Sequence, residues 1–340
     1  MADTTSTNNA SIKVLVTGAS GFIAKHIVRE LLQHGYGVRG SIRSDRRKAE
    51  LDALFGTDII EYAHLDLGSD DGWSDALHGI DVLVHTASPF PAEQPKDPQQ
   101  LIRPAVDGTL RALRAAHAAG VHRVILTSSC AAIYKDASKP KTAQATAEHW
   151  TDADGADTTA YEASKTLAER AAWDFVEQHP EMQLTTVCPG GVFGPAMDTN
   201  YGTSLEIIEQ ILNRAFPMYP DINLPIVDVR DVARIHVEAI DQPDSIGCRL
   251  VANAGALTIV ETATVLSNAY PGRKIATRRA PNVLVRIGAI FNPVMKTAAA
   301  NLGRNGDVDG TPTEQLLSFT YIPSKDAILA SAGFLTTHGK

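Results

Sequence analysis

A glycine turn early in the chain restricts what it can become. Residues 12–17 form a β-branched apolar run, and Phe22, Ile23, Ile27, Val28, Leu31 and Leu32 then recur at helical spacing. Between them stands Thr17-Gly18-Ala19-Ser20-Gly21-Phe22-Ile23-Ala24. A Gly-x-x-Gly-x-x-Ala string is weak evidence by itself, but between a strand and a helix it predicts a phosphate cradle. Gly18 permits the turn, Gly21 lets a diphosphate approach the backbone, and Ala24 lets the helix pack closely on the sheet. The free N–H groups of the helix start, at the positive end of its dipole, face the anion. Gly18, Ser20, Gly21, Phe22 and Ile23 are therefore candidate cofactor-binding positions. The competing reading is a glycine turn that only packs.

The strand–helix alternation continues along the chain. Strands are expected over 38–42, 59–65, 81–86, 123–127 and 184–188, and helices over 72–77, 99–119 and 158–177. This order predicts an α/β fold, a doubly wound parallel sheet with helices on both faces. Short apolar strands such as Val82-Leu83-Val84 fit burial on both sides. After Pro195 the order loosens, with helices expected over 202–213, 229–240 and 259–269 and Asp228 capping the second. Residues 1–11 read as a frayed tail. Residues 12–195, with 225–254 returning to them, read as one nucleotide-binding domain. Residues 196–224 and 255–340 read as a smaller, discontinuous C-terminal lobe over the sheet's carboxyl edge, where open α/β folds bind ligands.

An NAD site places a carboxylate at the tip of the second strand to hold the ribose 2′-hydroxyl. Here the tip reads Ile42-Arg43-Ser44-Asp45-Arg46-Arg47, with no acid at the strand end. Arg43 and Arg47 suit a 2′-phosphate, which a guanidinium grips with two parallel hydrogen bonds. NADP (as NADPH) is the cofactor these residues favour; a solvated basic patch is the alternative. Asp66, followed by Leu67, closes the third strand, either as an acceptor for the adenine amino group or as a turn cap. Thr86-Ala87-Ser88 ends the fourth strand, where small residues let the backbone pass the cofactor's ribose and phosphate.

Tyr161 and Lys165 stand at i and i+4 in a helical stretch and so share one face. A lysine cation beside a phenol favours the phenolate and is expected to lower the tyrosine pKa from about 10. That suits Tyr161 as general acid to a carbonyl oxygen. Thr127-Ser128-Ser129 ends the fifth strand at the same sheet edge, placing a hydroxyl where charge develops. Alone, the Tyr-Lys pair is also a common exposed helix face; its order after the glycine loop and the strand-end serines makes it a candidate site.

Charge and composition exclude other classes. The net charge of −8 opposes nucleic-acid binding. Cys130, Cys188 and Cys248 are odd in number and widely spaced, and neither they nor the 11 histidines fall at a zinc-type spacing, so no disulfide scaffold and no metal site is expected. The polar N-terminus lacks signal-peptide features, and no apolar run is long enough to span a membrane. A cytoplasmic location is expected, with Trp73, Trp150 and Trp173 read as packing.

These motifs resemble the extended branch of the short-chain dehydrogenase/reductases. The resemblance is to the dihydroflavonol reductases and, more strongly, to the yeast-type methylglyoxal and carbonyl reductases. It rests on the segment Val14 to Ala24, on His85-Thr86-Ala87-Ser88-Pro89-Phe90 and on Arg123 to Ala132. It rests also on Ala171-Ala172-Trp173, on Pro189-Gly190-Gly191-Val192-Phe193-Gly194-Pro195 and on Val227 to Ala233. It implies a Rossmann-type fold with a substrate-binding lobe, and NADPH-dependent reduction of a ketone or aldehyde to the alcohol. Ser129, Tyr161 and Lys165 become the catalytic triad, with Lys165 also on the nicotinamide ribose. Thr127, Pro189, Gly190 and Val192 line the cofactor, and Phe90 and Cys130 border the substrate. One departure stands out: Asp107 occupies a position where many members carry Asn. The expected partner is a small carbonyl compound, with no nucleic acid or membrane, in a monomer or homodimer. Two other functions share this frame, a sugar-nucleotide epimerase or dehydratase and a non-catalytic NADP-binding regulator. The absence of a carboxylate after Ser129 argues against the former, and the presence of both Tyr161 and Lys165 against the latter.

Overall fold

The computed structural model describes residues 9–89, 97–291 and 293–338. The chain runs β1 (Lys13–Thr17), α1 (Phe22–Gln33), β2 (Gly37–Ile42), α2 (Asp45–Phe55), β3 (Glu61–His64), α3 (Trp73–Leu77) and β4 (Val82–His85). It continues through α4 (Gln99–Ala118), β5 (Arg123–Thr127), α5 (Ala160–Gln178), β6 (Gln183–Pro189), β7 (Gly191–Phe193), α6 (Thr203–Leu212), β8 (Asn223–Asp228), α7 (Val229–Asp241) and β9 (Arg249–Ala252). The last elements are β10 (Ala256–Thr258), α8 (Ile259–Ala269), α9 (Asn282–Gly288), α10 (Pro293–Asn301), α11 (Thr311–Leu316) and α12 (Ser324–His338).

Seven strands form one sheet in the order β3-β2-β1-β4-β5-β6-β9, and every pairing in it is parallel. The order reverses between β1 and β4, which leaves a crevice at their carboxyl ends. This is the Rossmann-type, doubly wound sheet the alternation predicts. Strand side chains alternate between two cores. Val14, Val16, Val82, Val84 and Ile125 pack with α1 and α7 on one face. Leu15, Leu83, Val124 and Leu126 pack with α3, α4 and α5 on the other. Burial on both faces explains why these strands read as continuous apolar runs.

The C-terminal part adds elements that pattern reading did not show. β10, β8 and β7 form a second, three-stranded sheet, and β9 joins the edge of the large one. The small sheet packs with α6, α8 and α12 around Phe193, Leu205, Ile208, Ile226, Leu266 and Ile328. α2 was also missed, because only Leu51 of its 11 residues is buried and the apolar period is faint. Asp228 caps α7 as expected, accepting from the Arg230 N–H. No described helix is long and apolar enough to cross a membrane.

Arg123 fastens α7 to the sheet. Its guanidinium donates to the carbonyls of Ala239 and Gln183 and to the hydroxyls of Thr185 and Ser245. It thereby covers a carbonyl in the last turn of α7, which has no partner within the helix, and sits at the negative end of that dipole. Burial pushes the Arg123 pKa down to about 10, with the Asp241 charge acting against it. Replacing Arg123 with methionine leaves these buried acceptors short of a donor and should lower the unfolding free energy by about 1–3 kcal/mol. Urea denaturation measures this; an unchanged midpoint would mean that water serves the helix end equally well.

Candidate active site

A cleft of about 1330 Å³ follows the carboxyl edge of the large sheet and continues under the C-terminal lobe. At one end Gly18 turns with φ +64°, and a Cβ there would lie 3.2 Å from Ala87. The Gly18 N–H donates to Ser41 Oγ at 2.9 Å, so the turn is anchored on β2. Gly21 is the N-cap of α1, which presents its first N–H groups to the cleft beside Ser20, Phe22 and Ile23. Thr17 Oγ1 accepts from the N–H groups of Thr86 and Ala87 at 3.1 and 3.0 Å, tying the ends of β1 and β4 together. Ser88 follows them along the cleft wall.

Arg43 stands exposed at the rim, with no ion pair among the described residues, and Arg47 lies nearby, paired with Glu50 at 2.6 Å. Asp66 is exposed on the cleft beside Leu67, and its Oδ1 accepts from Gly68 N–H at 2.7 Å, the geometry of a turn cap. Pattern reading missed a strap across the glycine loop. Lys25, buried on α1, pairs with Asp198 and donates to the Asn200 carbonyl at 3.0 Å. The Asn200 amide in turn donates to the Ser20 carbonyl at 2.8 Å. A lysine on the apolar side of α1 was the available signal.

The middle of the cleft brings Ser129, Tyr161 and Lys165 together. The Ser129 hydroxyl accepts from Ala131 N–H at 3.1 Å and hydrogen-bonds the Tyr161 phenol. Ser128 points the other way, and its hydroxyl donates to Glu169 at 2.6 Å inside the protein. Lys165 borders the cleft one turn beyond Tyr161 on α5, whose start is fixed by a capping box between Thr159 and Glu162. Burial pushes the Tyr161 pKa up, and the Ser129 hydrogen bond pulls against it. The lowering expected from Lys165 is therefore corrected: the phenol pKa is raised, desolvation is the largest cause, and the lysine charge is not among the influences on it. Burial also pushes Lys165 down to about 8, opposed by the Glu169 charge.

Pro189, Gly190 and Val192 border the cleft opposite α5. A Cβ at Gly190 would lie 2.9 Å from the Pro225 backbone, so only glycine lets the small sheet approach here. Thr127 reaches the cleft, but its hydroxyl meets His236 Nε2 at 2.8 Å, while His236 Nδ1 donates to Val232. Cys130 lines the cleft with its thiol turned to the Cys188 carbonyl at 3.2 Å, and burial pushes its pKa well up, which disfavours the thiolate. Asp107 is exposed on α4 toward the cleft. Phe90 lies outside the described residues.

Glu169 supports this arrangement and was not anticipated, although it continues the Tyr161, Lys165 spacing by one more turn. Arg249 on β9 grips it through Nε at 2.8 Å and Nη2 at 3.1 Å, and Thr186 donates at 2.8 Å. Arg249 also donates to the Ala147 and His149 carbonyls and lies 3.7 Å from the centroid of Trp150. Burial alone would raise the Glu169 pKa, but the Arg249 charge and these hydrogen bonds hold it below the ordinary carboxylate value. Glu169→Ala should destabilise the fold by about 3–5 kcal/mol by leaving Arg249 buried without a counter-charge. Glu169→Leu with Arg249→Met should cost less than either single change. Equal losses in chemical denaturation would refute a charge-balance role.

Residues 14–255 match the NAD dependent epimerase/dehydratase family. The chain is 33% identical over 284 residues to the NADPH-dependent methylglyoxal reductase of Saccharomyces cerevisiae, covering 76% of this chain and 83% of that one. It is 33% identical over 270 residues to cinnamoyl-CoA reductase 1 of Arabidopsis thaliana, covering 78% and 77%. Among solved structures, yeast methylglyoxal/isovaleraldehyde reductase complexed with NADPH superposes with a TM-score of 0.80 at 28% identity, over 96% of this chain and 99% of that one. The chain belongs to the NAD dependent epimerase/dehydratase family, within the extended short-chain dehydrogenase/reductases.

Proposed function

We propose that this protein is an NADPH-dependent reductase that turns a ketone or aldehyde into the alcohol, with Tyr161 as proton donor. One observation carries the reading: the Tyr161 phenol, hydrogen-bonded to Ser129 and followed by Lys165, faces the same cleft as the glycine loop. The cleft suits the cofactor. Its volume exceeds the roughly 300–1,000 Å³ of a single small-ligand pocket, leaving room for a dinucleotide and a small substrate. Arg43, exposed at the rim, is available for a 2′-phosphate, with Arg47 and its Glu50 partner behind it.

NADPH supplies the hydride. The side chains do the remaining work. Tyr161, kept neutral by its raised pKa, holds the proton that the carbonyl oxygen must receive. Ser129 orients that oxygen and stabilises the charge that develops on it. Lys165 stabilises the phenolate left on Tyr161 and is placed to hold the nicotinamide ribose. Thr86, Ala87, Ser88, Pro189, Gly190 and Val192 provide the close walls. A dehydratase would need a further acid–base pair beside the serine. Near Ser129 the cleft's carboxylate is Glu162, which is committed to Lys135 at 2.8 Å and to Tyr134 at 2.6 Å.

Tyr161→Phe should retain NADPH affinity and lose about 10²-fold or more in kcat. Fluorescence titration and NADPH oxidation at 340 nm, run with a panel of aldehydes and ketones, read the two effects separately; near-normal turnover would remove Tyr161 as the acid. Arg43→Ala should weaken NADPH about tenfold or more while hardly changing NADH, since a charge-assisted phosphate contact is worth about 1.5–3 kcal/mol. Equal losses for both would contradict the 2′-phosphate assignment.

A further inference from the structure

At the edge of the sheet opposite the cleft, α4 and α5 end side by side. His117 lies in the last turn of α4, His179 is the C-cap of α5, and Glu181 follows two residues later. The imidazole centroids are 4.2 Å apart. Glu181 Oε1 lies 2.6 Å from His117 Nε2 and 3.8 Å from His179 Nδ1. One ligand atom from each residue falls within 4.8 Å of the other two.

We propose that His117, His179 and Glu181 form a binding site for a divalent transition metal, zinc being the best match. Two imidazoles and one carboxylate are a zinc donor set, and water would complete a tetrahedron. Bonds of about 2.0–2.1 Å place tetrahedral ligand atoms roughly 3.3 Å apart, so small side-chain rotations close the site. Independent of the donors, the backbone favours a cation here. Both helices direct their carbonyl ends, the negative poles of their dipoles, at this point. Phe175 packs against both rings, with centroids 6.2 Å from His117 and 4.4 Å from His179, and keeps them side by side.

The donor set selects among ions. Magnesium and calcium prefer all-oxygen sites, so imidazole nitrogens discriminate against them. Bound metal would clip the far end of α4 to that of α5, the helix that carries Tyr161 and Lys165. Its expected effect is on stability, because the ligands lie at the opposite end of the helices from the cleft. The sequence shows no metal motif because His117 and Glu181 are 64 residues apart and meet only through helix packing.

Zinc chloride titrated calorimetrically into chelator-treated full-length protein tests the site. The expected isotherm shows one zinc per chain, with magnesium giving none. Glu181→Ala and His179→Gln should each weaken zinc at least about tenfold. Zinc should raise the Tm of the wild type and leave that of the variants unchanged. NADPH binding by the variants reports that they are folded. An absent isotherm, or the same zinc affinity in wild type and in folded variants, would overturn the site and leave a histidine–carboxylate ion pair.

Discussion

The buried Glu169–Arg249 ion pair joins parts of the chain that come together only in the finished fold. Glu169 belongs to α5, Arg249 to β9 at the sheet edge, and the carbonyls of Ala147 and His149 to the loop before α5. Taking both charges out of water is expensive, and their attraction offsets that cost only when the remaining lone pairs and N–H groups are satisfied. Here they are: Ser128, Thr186, two backbone carbonyls and the Trp150 ring supply the partners. The pair also sets the direction of the strand-end serines. Because Ser128 is bound to Glu169, Ser129 is the one that faces Tyr161.

From that geometry follows a division of protonation states. Tyr161 and Lys165 share a helix face and a desolvated site, which disfavours the charged form of each. The phenol pKa rises and the ammonium pKa falls to about 8, so burial drives the two apart. A neutral phenol beside a cation that Glu169 helps to retain is suited to giving up a proton and then bearing the phenolate. The expected direct lowering of the Tyr161 pKa treated the pair as if it stood in water; burial is the largest influence on it.

What could be read in advance had local causes. The glycine loop, the Tyr-Lys spacing and the strand-end serines depend on neighbours within one turn or one strand. Burial on both faces made strands β4, β5 and β6 legible as apolar runs. β7 and β10 have three residues each, too few to show a period, and are held by pairing with β8. α2 escaped notice because it is a solvated helix supported by pairs such as Arg46–Glu50 and Lys48–Asp52. Lys25, Arg123 and Glu169 are charged residues whose burial depends on distant partners, so no local spacing announced them. The assignment of Ser129 to the triad comes from a family resemblance; the bond from Ser128 to Glu169 that sets the two serines apart depends on a residue 41 positions away and has no local signal.

The parallel sheet imposes a polarity on everything around it. Each helix that returns antiparallel to the strands brings its N–H end to the carboxyl edge of the sheet and its C=O end to the opposite edge. At the first edge, α1 and its glycine turn form a cradle suited to phosphate. At the second, Arg123 meets the carbonyl end of α7, and the His117, His179 and Glu181 cluster meets those of α4 and α5. Anions are favoured on one side and cations on the other for the same reason. The chemistry of the cleft and the cation-binding character of the far edge are thus two consequences of one topological choice.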